Sequence, residues 1–324
     1  MGVHPDGGVM GRLDDEWPAH RPAVFGAAYR ITGSVADAED VVQDVWLRAH
    51  ARDVPLDGTA RPDGGDTSGG AARPDGDTLD DVRDLRAWLL TVAARRAYDL
   101  LNSARARRVD YVGPWLPEPL LTGPDAAEPV LLDETAGTAM LLVMEELSPP
   151  ERVAFVLHQA FDVPYGQIAD VLGRTPAACR QLASRARRKI AAALPSRPAP
   201  PPERDRVLAA FRAAYERRDE AALLELLDPD AAFTTDGGGR VFAARKIIAG
   251  AGRVVTALLR VSARNAMRIV PAQVNGRPGF LVYRDGRLAA VDTAEVADGR
   301  ITAYRRVLNP DKLPALPRPA EAGR

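Results

Sequence analysis

Between Val171 and Ala192 the chain carries Arg174, Arg180, Arg185, Arg187, Arg188 and Lys189 and no carboxylate, with Gln181 and Ser184 among them. Arginine pairs bidentately with guanine, glutamine with adenine, and further basic groups hold phosphates. These residue types suit a reader of DNA base edges, provided that one helix face presents them together. Thr175 is a good N-cap, and Pro176 falls at the first helical position, where its missing N–H costs nothing. From there Cys179, Leu182, Ala183, Ala186 and Ile190 repeat at helical spacing as a stripe to be buried. Ala177, Gln181, Ser184 and Arg188 lie opposite, flanked by Arg180 and Arg185. Gly173 supplies a tight turn, and residues 147–172 before it read as a helix and a short helix. The stretch 147–190 is then a helix-turn-helix whose last helix enters a major groove. A solvated helix of an ordinary bundle is the competing reading, and it leaves cap, turn and one-sided charge without a purpose.

Two other stretches carry patterned charge. Ser34 caps a helix in which Ala38, Val41, Val42, Val45, Trp46 and Ala49 form the apolar stripe. Its other face holds Asp37, Glu39, Asp40, Gln43 and Asp44, either as solvated surface or as a docking surface. Residues 81–108 read as a second helix with Leu85, Trp88, Leu89, Val92, Ala93, Leu100 and Leu101 packed inward. Arg95, Arg96, Arg105, Arg107 and Arg108 gather towards its C-terminal end, where basic residues suit the helix dipole. Beside Trp88 and Tyr98 they suit single-stranded DNA equally well, held by stacking and phosphate contact.

The elements that position these residues follow from composition. A formal net charge of −1 over 324 residues excludes a generally basic coat and points to clustered charge on two or three domains. The single cysteine, Cys179, rules out an internal disulfide and fits a metal site poorly, so no cofactor or metal is expected. No apolar run reaches membrane-spanning length and no signal-peptide core is present, which reads as a soluble, cytoplasmic chain without a membrane partner. Residues 1–15 are expected to be a disordered leader, with a first helix building from Trp17. Residues 53–81, rich in Gly, Asp, Pro and Thr, are expected to be a loop insert. Residues 109–135 are expected to be a linker, of which 109–129 are Pro-rich and too broken for helix or sheet, with Tyr111, Trp115 and Leu116 placed to dock on something. A helix is expected to resume from Val130 to Met144, and 195–202 is a second Pro-rich linker.

Residues 203–313 have a different grammar. Two helices (207–217 and 220–227) precede a strand, a Gly turn and a strand across 231–242, then a helix from about Lys246 to Leu259. Three strand-like segments follow, with turn signals at Asn275-Gly276, Asp285-Gly286 and Asp298-Gly299. This order predicts an α+β cone or roll, and 314–324 trail off as a tail. His4, His20, His50 and His158 all precede the domain, so an acid or base working in its cone would be Asp, Glu, Lys or Tyr, with Asp236 and Asp292 as candidates.

Placed in order, 33–50, 84–108 and 147–190 resemble the second, promoter-melting and fourth regions of an extracytoplasmic-function (ECF) sigma factor of bacterial RNA polymerase. Residues 203–313 resemble a SnoaL-like domain, a cystatin-like α+β fold. One ECF group carries this fusion, and its marks stand here as "YVGPWLPEP" at 111–119, "DGGGR" at 236–240 and "NPDKL" at 309–313. The resemblance implies a multidomain chain: all-α sigma region 2 (16–108), helix-turn-helix sigma region 4 (136–194) and the C-terminal α+β domain. It implies core RNA polymerase as partner, through the β flap and through β′ clamp helices docking on Asp37, Asp40, Gln43 and Asp44. It implies promoter DNA as a second partner, with Trp88, Arg95, Arg96 and Tyr98 at the minus-ten element. Thr175, Ala177, Arg180, Gln181, Ser184, Arg185 and Arg188 then serve the minus-thirty-five element. Regulation in cis is implied for Tyr111, Trp115, Asp236, Arg240, Asn309, Asp311 and Lys312, and no catalytic residue is implied. The 53–81 insert departs from the family pattern, because it occupies the place of the loop that captures a flipped minus-ten base. The alternative is a helix-turn-helix regulator fused to a ligand-binding or weakly enzymatic SnoaL-like domain, which needs neither the acidic nor the melting helix.

Overall fold

The structure, a computed structural model, describes residues 12–53, 82, 84–107, 111–122, 137–193, 199–262 and 267–313. The expected insert (from 54 on), the tail and residues 1–11 of the expected leader lie outside these. Helix α1 (Arg12–Thr32) starts inside the stretch expected to be leader. Leu13 is fully buried, and Asp14 and Asp15 suit the positive end of the helix. Gly33, at φ +70°, ends α1. Helix α2 (Val35–Asp53) follows, its Asp37 N–H donating to the Ser34 hydroxyl. Helix α3 (Leu85–Arg107) is capped by the Asp84 carboxylate, which accepts from the Ala87 N–H at 2.9 Å.

After the linker come α4 (Thr138–Glu145), α5 (Pro149–Phe161), α6 (Tyr165–Leu172) and α7 (Pro176–Ala193). Of the helix expected over 130–144, residues 130–136 lie outside the described residues and the rest belongs to α4. One hydrophobic core runs through α1–α7, from Leu13 and Tyr29 through Leu89 and Phe155 to Leu182 and Ile190. The two helical units are therefore packed on each other. Arg152 of α5, itself buried, pins the join by donating to the Ile31 carbonyl at 2.9 Å and to Glu145 at 2.6 Å.

The C-terminal domain comprises α8 (Pro201–Arg217), α9 (Glu220–Leu226), β2 (Leu227–Asp236), β3 (Ile248–Ala249), α10 (Ala251–Ser262) and four further strands. These are β4 (Met267–Val274), β5 (Arg277–Arg284), β6 (Arg287–Ala297) and β7 (Arg300–Val307). They number one more than expected, and the three predicted turns join them. Each turn has positive φ at both central residues, the type I′ geometry that Asn-Gly and Asp-Gly allow. The hairpin expected across 231–242 does not form. A Cβ on Gly237 would lie 2.7 Å from the Val241 carbonyl, so the chain curls tightly there. The Thr235 hydroxyl, not a strand, takes up the backbone N–H and carbonyl of Ala244. The following helix starts only after Gly250, at φ +95°, and not at Lys246.

The linker was expected to be too broken for sheet, yet Leu121–Thr122 form β1, paired antiparallel with Gln273 and Val274 of β4. The sheet order is β1-β4-β5-β6-β7-β2-β3, with β2 parallel to β7 and the other pairs antiparallel. One core, built on Phe211, Tyr215, Val254, Leu258 and Tyr304, fills the space between α8–α10 and the sheet. A second, on Leu116, Val274, Leu281, Val291, Val307 and Leu313, lies beneath the linker. The sheet is thus covered on both faces, which is why five consecutive β5 residues, Gly279 to Tyr283, are buried.

Candidate functional site

Helix α7 has the geometry that its sequence pattern predicts. The Ala178 N–H donates to the Thr175 hydroxyl at 3.2 Å, the Cys179–Ile190 stripe is buried, and Ala177, Arg180, Gln181, Ser184, Arg185 and Arg188 are exposed. Burial pushes the Cys179 thiol up. Two flanking arginines also touch protein: the Arg180 guanidinium lies 5.4 Å from the Tyr165 ring centre, and Arg185 comes to 3.9 Å of Glu151. Glu151 belongs to a capping box at the start of α5, accepting from the Ser148 N–H and hydroxyl, and it also accepts from Lys189 of α7 at 2.9 Å. Burial raises its pKa, but the bonds from Lys189 and Ser148 outweigh that and hold it below the usual carboxylate range.

The residues assigned to the minus-ten element and to the polymerase are partly engaged with each other. Arg96 of α3 pairs with Asp44 of α2 at 2.6 Å. Arg95 donates to the Asp170 carbonyl of α6 at 2.8 Å, tying α3 to the helix-turn-helix. Trp88 and Tyr98 are half-buried. Asp40 and Gln43 are exposed, and with Trp17, Arg21, Val42 and Trp46 they line a shallow cleft of about 390 Å³. Asp37 is half-buried at the first turn of α2.

Of the seven residues expected to regulate in cis, Asp236, Asn309 and Lys312 meet Tyr111 and Trp115 of the linker, and Arg240 and Asp311 pair with each other. Asp236 is fully buried at the end of β2. Its carboxylate accepts from the Tyr111 hydroxyl at 2.5 Å, the Leu116 N–H at 2.8 Å, the Gly238 N–H at 3.1 Å and Lys312 at 2.7 Å. Lys312 also donates to the Leu116 carbonyl, and its ammonium lies 4.2 Å from the Trp115 ring centre and 5.2 Å from that of Tyr111. Asn309 donates to the Tyr111 oxygen at 3.1 Å, and Arg240 pairs with Asp311 at 2.9 Å. Burial, then the Asp236 carboxylate, push the Tyr111 hydroxyl far up, so it remains a donor. The glycines of 237–239 let this approach happen, since a Cβ on Gly238 would overlap the Asn309 amide at 2.3 Å.

Sequence reasoning missed a second attachment of the same linker. The Glu118 carboxylate accepts from the N–H groups of Val35 and Ala36, at 2.6 and 3.2 Å, and from the Ser34 hydroxyl at 3.0 Å, so it caps α2 from 82 to 84 residues away. Trp115 lies over Gly33, where a Cβ would come within 2.8 Å of the indole. Asn275, read only as a turn residue, accepts from Tyr29 of α1 and from the Leu120 N–H, each at 2.9 Å, and donates to Thr138 of α4 at 2.9 Å. One side chain thus joins both helical units, the linker and the sheet. No local pattern signals Glu118, and the turn role of Asn275 conceals its other one.

The carboxylates considered for catalysis are both occupied. Asp292 takes a bidentate pair from Arg306, at 2.7 and 2.6 Å, and the Tyr304 hydroxyl at 2.5 Å, all buried in the cone. Burial pulls the Arg306 guanidinium down, but Asp292 outweighs this and holds it charged. Among the described residues no group of three or more His, Cys, Asp or Glu is placed to hold a metal ion. None of the helices described is long and apolar enough to cross a membrane.

Comparison with known proteins adds the following. Residues 138–190 match the family model described as Sigma-70, region 4, and residues 18–55 match Sigma-70 region 2. The chain is 38% identical over 322 residues to the ECF RNA polymerase sigma factor SigJ of Mycobacterium tuberculosis, covering 93% of each chain. It is 33% identical over 303 residues to the probable ECF RNA polymerase sigma factor SigI of the same species, covering 93% of this chain and 94% of that one. The crystal structure of M. tuberculosis SigJ is similar throughout, with a TM-score of 0.69 at 34% identity over 94% of this chain and 99% of the other.

Glu151 gives α7 a pH-sensitive anchor. Its folded-state pKa is depressed, so its stabilising contribution is complete above the unfolded value, about 4.3, and is lost as pH falls through the lower folded value. Glu151→Gln is expected to melt at a lower temperature than the parent near neutral pH, with the gap closing as pH drops below about 4.3. Thermal melts across that range check this, and a gap that stays constant in acid removes the linkage.

Proposed function

The chain belongs to the extracytoplasmic-function sigma factors of RNA polymerase, and we propose that its SnoaL-like domain regulates the sigma part in cis by clamping the linker between regions 2 and 4. As a member of that family it directs promoter-specific initiation by core polymerase. The observation that carries the regulatory reading is the shared carboxylate of Asp236, which binds the linker through Tyr111 and Leu116 and the C-terminal segment through Lys312. The linker expected at 195–202 is shorter than that, since α8 already begins at Pro201, and so short a connection keeps the two parts at an effective concentration on the order of millimolar. A weak contact then stays populated without a separate inhibitor. The domain works by contact and not by turnover, a reading supported by the full occupancy of Asp236 and Asp292.

The same reading assigns the other surfaces. Helix α7 reads the minus-thirty-five element, because its acid-free face is exposed while its stripe is held by α5 and α6. The face of α3 with Trp88, Arg95, Arg96 and Tyr98 meets the opened minus-ten element. The cleft beside Asp40 and Gln43 receives the β′ clamp helices, and its tryptophans offer apolar area inside an acidic rim.

Three outcomes test these assignments. Arg180→Ala, Gln181→Ala and Arg188→Ala together should abolish preference for the minus-thirty-five element, each base-reading arginine contributing about 1–3 kcal/mol. Titration against promoter and scrambled duplexes measures this, and equal preference before and after would free α7 of the role. Asp40→Lys with Gln43→Lys should sharply weaken binding to core polymerase yet move folding stability by no more than about 0.5 kcal/mol, since both are exposed. Unchanged affinity for core polymerase would falsify the docking assignment. Deletion after Leu308 should raise promoter-dependent transcription in a reconstituted assay, whereas deletion after Pro195 should lower it. Equal rates from both truncations and the full chain would make the domain a passenger.

A further inference from the structure

Between Asp236 and Asp285 the chain has nine Arg and Lys residues and no Asp or Glu, within a protein whose overall charge is −1. This run is longer than the acid-free stretch around α7 and lies wholly in the C-terminal domain. Eight of the nine are arginines, the residue whose planar fork matches phosphate oxygens. Arg245 and Lys246 are exposed on the loop that precedes β3, and Arg253 and Arg260, seven residues apart, share the exposed face of α10. Among the described residues no carboxylate pairs with any of these four, although Asp228 and Asp230 flank Pro229, whose carbonyl lies 3.9 Å from where a Cβ on Gly250 would sit, just before α10. The same loop holds Phe242 at 99% exposure, with Ile247 at 58%. An exposed ring between basic residues is what stacks on a base while its neighbours grip the backbone.

The loop is also held in a telling place. Gly239 lies against Val112, and the Arg245 backbone lies against Gly113, so the loop is braced on the linker. Tyr111 follows the last residue of α3, Arg107, by four residues, which span at most about 14 Å. The basic loop therefore stands near the end of the helix whose Trp, Tyr and Arg side chains suit a single strand.

We propose that the C-terminal domain binds nucleic acid through the exposed 240–247 loop and the exposed side of α10, which follows it in the chain, and that these grip the phosphodiester backbone of DNA. It acts beside α7 and does not depend on which helix reads the promoter.

The test uses the full chain with a duplex and a single strand of the same mixed sequence, titrated at several salt concentrations. Arg245→Ala/Lys246→Ala/Arg253→Ala should weaken binding, with a salt slope shallower by about 0.9 per lost contact on duplex and about 0.7 on single strand. Losses on duplex identify an intact helix as the ligand, and losses confined to the single strand identify a melted one. In the second case Phe242→Ala should also cost about tenfold on the single strand. Unchanged slopes on both DNAs overturn the proposal. So does a loss of core-polymerase affinity with DNA slopes unchanged, because these residues would then bind protein. The Arg180→Ala/Gln181→Ala/Arg188→Ala variant, run alongside, shows separately whether α7 fails.

Discussion

A carboxylate withdrawn from water has to be neutralised and to have its oxygens filled, or it costs several kcal/mol. Asp236 meets that demand with donors from three separate places: the linker through Tyr111 and Leu116, the glycine loop through Gly238, and the C-terminal segment through Lys312. Its backbone carbonyl accepts from Leu308 and Asn309 as well. Withdrawing one donor leaves a buried charge short of partners, so the remaining contacts become less favourable together. That coupling makes the clamp closer to all-or-none than a surface of independent hydrogen bonds. Lys312 is subject to the same rule, since its ammonium is buried between the carboxylate, the Leu116 carbonyl and two aromatic faces.

How far such features can be read from sequence depends on the distance over which they are determined. The stripe, cap and turn of α7 follow from residues within one helix of each other, and the type I′ turns follow from two-residue signals. The motifs at 111–119, 236–240 and 309–313 are legible as marks of the family, and the structure joins them through Asp236, Asn309 and Lys312. The strand at Leu121–Thr122 has no local signal, because its partner β4 lies about 150 residues away and supplies the pairing. Glu118 is similar: its function comes from the free N–H groups at the start of α2. The 231–242 stretch misled for the opposite reason. Three glycines resemble a hairpin turn, but they permit a tight curl and close approach of Asn309, and Thr235 replaces the second strand with a side chain.

Regions 2 and 4 are packed through one apolar core, and the side chains suited to external partners are partly spent on each other. Arg96 neutralises Asp44, Arg95 is bonded to α6, and Arg185 and Lys189 share Glu151. If α3 and α7 read separate promoter elements, those contacts and the shared core have to be exchanged for polymerase and DNA. Exposed pairs such as Arg96–Asp44 contribute little and are readily exchanged. The buried core and the polar pins at Arg152, Asn275 and Asp236 set the cost.

Those pins are not equivalent, because the linker is held at two ends by different parts of the C-terminal domain. Residues 111–116 depend on Asp236 and on the 309–313 segment. Residues 118–122 depend on β4 and Asn275, through the β1 pairing and the bonds to Leu120. Losing 309–313 removes Lys312 and Asn309 and so frees the first end, while the second still holds Glu118 against α2. Losing the whole domain removes the second end too. The cap on α2 then rests on the linker alone, and α2 is the helix whose acidic face we propose as the polymerase contact. A single domain can in this way restrain the sigma part through one attachment and support it through another, with no change of fold between the two roles.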